Sequence, residues 1–226
     1  FKPMFKLSEA VEIVKNELES AGEKVYFIPL GGSDALGALG YYDCGVELAE
    51  QLRAVGLKKP HVFVTAGSLG TYLGLEFARL NRRLSFDLTG ISVLPRHDTA
   101  AEYAEKLFGE IYRTYMGTLG FNIDVQPKAS QMDINENYIF GAYNNAVHEV
   151  REAIYLMARK EGIFLDPCYT GKTFYGILDM IKTGEIEKNS DVVMIHTGGF
   201  PGNYAAHHRI EMENELSGFM RKDENI

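Results

Sequence analysis

The residues from Ala66 to Thr71, which read Ala-Gly-Ser-Leu-Gly-Thr, link a short apolar run to the beginning of an amphipathic pattern. Glycines allow such a turn to direct its backbone amides at an anion, and the dipole of the following helix adds partial positive charge. The hydroxyls of Ser68 and Thr71 supply further donors. The segment therefore predicts a phosphate-binding loop, although it matches neither a Walker loop nor a GxGxxG dinucleotide turn. A tight turn whose glycines serve helix–strand packing is the alternative.

The same residues are close to a nucleophile elbow, Gly-x-Ser-x-Gly, with alanine in the first glycine position. Ser68, Asp166 and His196 follow one another in the order of an α/β-hydrolase triad, which would carry out acyl transfer with His196 as the base. Each partner also has a simpler interpretation. Asp166 begins an Asp-Pro turn after an apolar run. His196 ends another apolar run, where packing alone can hold it.

Tyr143 and Tyr169 stand apart from the other tyrosines because each lies beside a glycine-containing loop. A phenol in such a place could give or take a proton if its pKa is lowered, whereas burial with a satisfied hydroxyl is the alternative. His207 and His208 are adjacent, so on a helix their side chains diverge by about 100° and are poorly placed to share a metal. We expect a solvated pair there and no metal site.

The elements that must position these residues are apolar runs alternating with glycine turns and amphipathic segments. Strands are predicted at residues 25–28, 61–65, 86–94, 163–165 and 192–196, with a further short one at 138–140. Helices are predicted over residues 7–21, 34–55, 71–80, 99–116, 145–159 and 170–182. This alternation is typical of a parallel sheet with helices on both faces, a three-layer α/β/α fold. Such sheets bind ligands at the carboxyl ends of strands, where Gly31-Gly32, Gly67–Gly70 and Gly198-Gly199 are expected to converge.

The composition limits the function further. The 226 residues, of which 46% are hydrophobic and 24% charged, are typical of a globular protein with a sizeable core. A formal net charge of -8 argues against a general binder of nucleic acid or acidic membranes. Two cysteines form no disulfide framework, and no apolar run approaches a transmembrane helix or a signal peptide. We therefore expect a cytoplasmic protein, in which the residues after Arg209 form a charged and loosely held tail.

Four motifs, in this order and spacing, carry a resemblance to a known family. They are Ile-Pro-Leu-Gly-Gly-Ser-Asp-Ala-Leu-Gly-Ala-Leu-Gly-Tyr at residues 28–41, Thr-Ala-Gly-Ser-Leu-Gly-Thr at 65–71, Leu-Asp-Pro-Cys-Tyr-Thr-Gly-Lys at 165–172 and Ile-His-Thr-Gly-Gly at 195–199. Together they resemble the D-cysteine desulfhydrase and 1-aminocyclopropane-1-carboxylate deaminase family. Members of that family are pyridoxal-phosphate enzymes with the fold of the tryptophan synthase β subunit.

The resemblance implies a cofactor, pyridoxal 5'-phosphate, and assigns roles to residues of the motifs. The residues implied to hold its phosphate are Gly67, Ser68, Leu69, Gly70 and Thr71. Thr197, followed by Gly198, would lie near the pyridine nitrogen. Tyr169 would lie over the cofactor and substrate, and Tyr143 resembles the second active-site tyrosine. The implied activity is that of a lyase or deaminase of small amino acids, most like D-cysteine desulfhydrase, because Thr170 stands where ring-opening deaminases carry glutamate.

The chain also departs from the family pattern. The family's Schiff-base lysine lies in an N-terminal Gly-Asn-Lys segment, which this sequence lacks, and Lys172 resembles a structural position instead. Leu69 replaces a common glycine, and Asn144 stands where Gly-x-Pro usually follows the tyrosine. We therefore expect an N-terminally truncated and inactive form. Its expected parts are the end of the smaller cofactor-covering domain, the large cofactor-binding domain and the charged tail, at residues 1–24, 25–210 and 211–226.

Other functions stay open. One is 1-aminocyclopropane-1-carboxylate deaminase, within the same family. Another is a non-catalytic module that binds pyridoxal phosphate or a different phosphorylated molecule, and a third is the serine hydrolase built on Ser68, Asp166 and His196. The partners implied by the resemblance are a small amino-acid substrate and a second copy in a homodimer, whereas neither nucleic acid nor a membrane is expected.

Overall fold

The computed structural model describes residues 7–95, 98–122 and 131–219. The chain forms two compact units, Phe1–Gly32 and Ser33–Ile226. The domain limits expected from the sequence stay a prediction, because compactness alone does not say which unit would cover a cofactor and which would bind it.

The smaller unit holds helix α1 (Leu7–Ser20) and a short 3₁₀ helix at Leu30–Gly32. Gly22, just beyond the end of α1, adopts a left-handed φ of 86°, as glycines after helices often do. The strand predicted at residues 25–28 is wrong, since the chain there has no regular secondary structure and pairs with no strand in the described residues. An apolar run forms a strand only where a neighbouring backbone completes its hydrogen bonds.

Within the described residues, a parallel sheet of four strands forms the centre of the larger unit. Its strands are β1 (His61–Ala66), β2 (Asp87–Ser92), β3 (Ile134–Asn135) and β4 (Val192–Met194), in the spatial order β3-β2-β1-β4. β1 pairs with β2 along its whole length and with β4 over its first half. Because neighbouring parallel strands end at the same edge, the loop after β1 lies beside the loop after β4.

Helices surround this sheet. They are α2 (Ala35–Ala54), α3 (Gly70–Asn81), α4 (Asp98–Arg113), α5 (His148–Glu161), α6 (Thr170–Thr183) and α7 (Ala206–Leu216). A single turn of π-helix, Thr114–Thr118, continues α4, and short 3₁₀ helices lie at Phe200–Tyr204 and Ser217–Phe219. In the described part of the chain, no helix has the length and apolar character needed to cross a membrane.

Alternate residues of β1 pack against opposite layers of helices. Val62 and Val64 join an apolar cluster with Leu73 of α3, whereas Phe63 joins a second cluster with Met180 of α6. Successive side chains of a strand point to opposite faces of the sheet, so helices cover both faces. The predicted α/β fold is confirmed.

Several predicted elements differ in detail. The strands predicted at residues 138–140 and 163–165 are a turn and an irregular segment, because neither run has a strand neighbour in the sheet. The strands predicted at 86–94 and 192–196 are real but shorter. Short apolar runs of this kind do not identify a strand by themselves.

The segment after Arg209 also differs from the loosely held tail that we expected. It begins inside α7, and residues 220–226 lie outside the described residues. Glu215 on α7 lies 2.8 Å from the guanidinium of Arg151 on α5. A charge pattern that suggests a solvated tail is therefore part of a contact between two helices.

Candidate functional site

Ser33 fixes the predicted phosphate-binding loop, which connects β1 to α3 at the carboxyl edge of the sheet. Ser33 is 4% exposed, and its Oγ donates a hydrogen bond to Ser68 Oγ at 2.6 Å. The same Ser33 oxygen accepts a hydrogen bond from the backbone N–H of Gly70 at 3.3 Å. A Cβ on Gly70 would lie 2.7 Å from Ser33 Oγ, so glycine is required for this close approach. Apart from the Gly-Gly-Ser motif, no local pattern signals this role of Ser33.

Leu69, which replaces a glycine of the family pattern, precedes α3 with a left-handed φ of 73°. This conformation is strained for leucine. Its side chain is 2% exposed and packs into the core, away from the loop surface. It forms no cap hydrogen bond, and the first-turn amides of Thr71 and Tyr72 have no acceptor within the helix. The loop can therefore offer these amides to a ligand.

The two tyrosines singled out in the sequence meet next to this loop. The hydroxyls of Tyr143 and Tyr169 form a short hydrogen bond, and their rings pack edge to face with centroids 5.8 Å apart. Cε1 of Tyr169 lies 4.0 Å from the place that a Cβ on Gly67 would occupy. Partial burial raises the pKa of both phenols, and the shared hydrogen bond raises the pKa of Tyr143 further. Both side chains therefore keep their protons at neutral pH, contrary to the lowered pKa that a base would need.

Asp166 fixes the backbone around Tyr169. Its buried carboxylate accepts hydrogen bonds at 2.8 Å from the N–H groups of Cys168, Tyr169 and Thr170. The hydroxyl of Thr170 donates to it as well, at 2.7 Å. These amides lie at the N-terminus of α6, where helix geometry leaves the N–H groups without acceptors. Asp166 therefore caps α6 and sets the direction in which Tyr169 leaves the backbone.

The hydrolase triad, which the sequence left open as an alternative, is not formed in the structure. Nε2 of His196 lies 3.1 Å from the carbonyl of Phe164, and its Nδ1 accepts from the N–H of Gly198 at 3.2 Å. Asp166 is occupied by the helix cap and is not hydrogen-bonded to His196. A nucleophilic Ser68 would need both residues in one chain of hydrogen bonds.

Lys172, in the first turn of α6, supports the turn that precedes Tyr143. It is fully buried, and its Nζ donates to the carbonyls of Ile139 at 2.8 Å and Ala142 at 3.1 Å. Burial lowers the pKa of this amine. The lysine is thus directed at backbone carbonyls, which is the arrangement of a structural residue.

The turn from Thr197 to Gly199 follows β4 and reaches the same edge of the sheet. Gly198 and Gly199 adopt φ values of 91° and 93°, a region that favours glycine. A Cβ on Gly199 would overlap the carboxylate of Asp166. Asp166 also holds Tyr169, whose ring lies against the loop after β1. The loop from Gly67 to Gly70 and the turn at Gly198-Gly199 therefore lie close together. The third predicted turn, Gly31-Gly32, belongs to the smaller unit.

The adjacent histidines are not the solvated pair that we expected. His207 is exposed, but His208 is 1% exposed, and their rings lie 3.9 Å apart. Burial lowers the pKa of His208, and the neighbouring His207 lowers it further. Across the residues that the structure describes, no group of three His, Cys, Asp or Glu side chains could hold a metal ion.

Comparisons with known proteins identify the family of the chain. A family described as "Pyridoxal-phosphate dependent enzyme" matches residues 6–198, and the chain therefore belongs to that family. A protein of Pyrococcus furiosus named "Putative 1-aminocyclopropane-1-carboxylate deaminase" is 36% identical over 207 residues, which are 90% of this chain and 58% of that protein. The "D-cysteine desulfhydrase" of Serratia proteamaculans is 31% identical over 193 residues, 85% of this chain and 56% of that protein.

A solved structure is similar as well. The crystal structure of an "ACC deaminase homologue" superposes with a TM-score of 0.77 and 32% identity, covering 95% of this chain and 61% of that chain. The chain thus spans somewhat over half of the length of these relatives.

The residues present fit the phosphate of pyridoxal 5'-phosphate. The open N-terminus of α3 supplies backbone amides, and Ser68 and Thr71 supply hydroxyls at the surface of the loop. Gly67 leaves a space that a Cβ would fill, between the side chain of Val93 and the ring of Tyr169. Backbone amides and hydroxyls at a helix N-terminus are donors that can hold a phosphate.

Proposed function

We propose that the chain forms the cofactor-binding part of a pyridoxal-phosphate-dependent lyase or deaminase of small amino acids, most like D-cysteine desulfhydrase. The complete enzyme would convert D-cysteine to pyruvate, ammonia and sulfide. The observation that carries the proposal is that the ring of Tyr169, which is hydrogen-bonded to Tyr143, lies beside the open glycine loop. Deamination of 1-aminocyclopropane-1-carboxylate is the second candidate, since a relative at 36% identity carries that name.

Binding of the cofactor would involve two segments of the sheet edge. The residues from Gly67 to Thr71 would hold its phosphate, and Thr197 with Gly198 would lie near the pyridine nitrogen. A neutral hydroxyl at Thr197 would leave that nitrogen less strongly protonated than a carboxylate would. Pyridoxal phosphate, when bound, supplies an electron sink for negative charge at the substrate Cα.

Tyr169 and Tyr143 would move the protons of the reaction. Both phenols keep their protons at neutral pH because burial raises their pKa. Loss of sulfide from a β-carbon requires an acid near the departing sulfur, and the Tyr169 hydroxyl would donate that proton. The hydrogen bond between the hydroxyls would let Tyr143 replace it. Asp166 accepts a hydrogen bond from the backbone N–H of Tyr169, and Lys172 donates one to the carbonyl of Ala142, which precedes Tyr143. The two tyrosines are therefore oriented before the substrate arrives.

Thr170 favours the desulfhydrase over the ring-opening deaminase. Its hydroxyl is fully buried, donates to the Asp166 carboxylate and accepts from the Asp166 N–H at 2.9 Å. A glutamate at this position would lose both hydrogen bonds and place a second carboxylate beside the first. Burying such an unpaired charge is costly, so the glutamate of the deaminases would need a different helix start.

The polypeptide of these 226 residues would bind the cofactor without turnover. Its sequence contains no Gly-Asn-Lys segment, and the amine of Lys172 is engaged by two carbonyls. We further propose that the enzyme is cytoplasmic and that it forms a homodimer. Light scattering of the purified protein would test the homodimer.

A borohydride experiment tests the proposed function. The chain is titrated with pyridoxal phosphate, binding is followed by absorbance, and the mixture is then reduced and analysed by intact mass and peptide mapping. We expect saturable binding, no stoichiometric adduct on a lysine and no pyruvate from D-cysteine. Absence of saturable binding would contradict the proposed function. A stoichiometric adduct on one lysine would contradict the predicted inactivity and predict turnover.

Pyridoxal without its phosphate is the matched control for this titration. If the loop holds the phosphate, pyridoxal binds much more weakly, and inorganic phosphate competes with the complete cofactor. Equal binding of the two ligands would show that the glycine loop is not the phosphate site.

A further inference from the structure

Asn144, the residue after Tyr143, is held by both histidines of α7. Its Oδ1 lies 2.9 Å from Nε2 of His208, and its Nδ2 lies 3.3 Å from Nε2 of His207. An amide oxygen can only accept, so His208 carries its ring hydrogen on Nε2 and donates it. The backbone of Asn144 is left-handed, with φ of 60°, a conformation that asparagine tolerates better than most residues.

His208 is almost fully buried, yet its ring makes few polar contacts. Its Nδ1 has no hydrogen-bond partner in the part of the chain that the structure describes. Burying an unpaired polar atom is unfavourable, so an apolar side chain would satisfy the packing at this position better. The bond from Nε2 to Asn144 is what an apolar side chain could not provide.

The helix that carries His208 is fixed to the body of the larger unit. Arg151 of α5 is 9% exposed and bonds Glu215 of α7 through two nitrogens, at 3.0 Å and 2.8 Å, while a third nitrogen contacts Glu211 at 2.5 Å. The hydroxyl of Tyr155 donates to Glu215 at 2.7 Å. A charged pair this well hydrogen-bonded gives α7 a defined position, from which His208 can hold Asn144.

We infer that His208 is a positioning residue for Tyr143 and acts through Asn144; the importance of Tyr143 rests on the proposed function. Lys172 holds the carbonyl of Ala142 before the tyrosine, and His208 holds the side chain after it. The tyrosine backbone is therefore tethered on both sides. This tether directs the phenol towards Tyr169 and replaces the glycine and proline that usually follow this tyrosine in the family.

The experiment places fluorotyrosine at position 143 of the full 226-residue chain and records its fluorine NMR line without cofactor. We expect His208→Leu and Asn144→Gly to shift this line, since each removes the bond while keeping the backbone allowed. His208→Gln should return the line towards its original position, because the glutamine amide can donate to Asn144. His207→Leu, which removes the longer and exposed contact, should shift it least. A second reporter at Tyr112, on α4, should stay unchanged in every variant.

Three results would overturn the inference. One is an unchanged Tyr143 line in both His208→Leu and Asn144→Gly. Another is an equal shift of the Tyr112 line, which would indicate general loosening of the fold. The third is a failure of His208→Gln to restore the signal. The NMR measurement needs no cofactor. Failure to bind pyridoxal phosphate would therefore contradict the proposed function and leave the positioning role of His208 untouched. An unmoved Tyr143 line would remove the positioning role alone.

Discussion

The hydroxyl of Ser33 donates its proton to the hydroxyl of Ser68, with the two oxygens 2.6 Å apart. Ser33 Oγ also accepts a hydrogen bond from the N–H of Gly70. A hydroxyl that accepts a hydrogen bond still has its own proton to give. The pair therefore leaves the proton of Ser68 for an acceptor at the surface of the loop, which is where a phosphate oxygen would lie.

Replacing Ser33 should weaken binding of pyridoxal phosphate although Ser33 is buried and is not among the residues proposed to hold the phosphate. Ser33→Ala removes the donor that orients Ser68 and the acceptor of the Gly70 amide. One neutral hydrogen bond contributes about 1 kcal/mol, so we expect roughly fivefold weaker binding in a fluorescence titration. Ser85→Ala is the matched control, because Ser85 also bonds a distant residue, the Lys58 carbonyl, but lies outside the site. Equal affinities of Ser33→Ala and the unchanged chain would contradict the orienting role.

At Leu69, replacement by glycine should leave the chain more stable than replacement by alanine, which is the reverse of the usual order of stability. Both replacements remove a buried leucine, which commonly costs about 2–5 kcal/mol of unfolding free energy. At the left-handed backbone of Leu69, however, glycine is relaxed and alanine is strained by roughly 1–2 kcal/mol. We therefore expect Leu69→Gly to be more stable than Leu69→Ala in urea unfolding.

Leu73 is the control for this comparison, because it is also fully buried but lies inside α3. There the usual order applies, and Leu73→Gly should be less stable than Leu73→Ala by about 1 kcal/mol. The same order at both positions would show that strain at Leu69 is negligible.

The parts of the site that the sequence predicted are those encoded by neighbouring residues. β1 and the loop from Gly67 to Thr71 follow from one apolar run and a glycine turn within a short stretch. Helices α1 to α6 follow for a similar reason, since a helix pattern repeats over several turns, whereas the charged residues of α7 predicted a tail. The strand predictions at residues 25–28 and 163–165 were wrong because a strand depends on a partner that a local pattern does not reveal.

The contacts that orient the site join residues far apart in the chain. Ser33 and Ser68 are separated by 35 positions, and Asn144 and His208 by 64. Nothing in a local pattern distinguishes these residues from ordinary polar ones. The role of Asp166 stayed open for a related reason, since a carboxylate that caps a helix and one that orients a histidine look alike until their partners are known.

Lys172 should contribute to stability through its two backbone acceptors. Lys172→Met keeps the apolar length of the side chain but leaves the carbonyls of Ile139 and Ala142 without their donor. Hydrogen bonds to a charged group contribute about 1.5–3 kcal/mol each, partly offset by the cost of burying the amine. We expect a net loss of about 2 kcal/mol in urea unfolding. Lys182→Met, on the exposed side of the same helix, should change stability by less than about 0.5 kcal/mol. A Lys172→Met chain as stable as the original would show that burial of the amine cancels both bonds.

The contact between α5 and α7 should make stability depend on acid pH. Hydrogen bonds from Arg151, joined by those from His148 and Tyr155, lower the pKa of Glu215 from 4.5 to about 2. In the unfolded chain the carboxyl binds a proton near 4.5, so the stabilisation is complete above that pH and is lost as the pH falls towards 2. Since water screens this partly exposed pair, we expect the loss to be about 1–2 kcal/mol.

Glu215→Gln tests this linkage, because glutamine keeps the shape of the side chain but does not titrate. Its unfolding free energy should be lower than that of the unchanged chain at neutral pH, and the difference should shrink as the pH falls from 4.5 towards 2. Glu213→Gln is the control on the same helix, since Glu213 is exposed and its ion pair with Arg209 is long, at 3.7 Å. The unfolding free energy of this variant should differ little from that of the unchanged chain at every pH. Urea unfolding at a series of pH values measures both. A Glu215→Gln curve that runs parallel to that of the unchanged chain would mean that the salt bridge does not hold α7, and with it His208, in place.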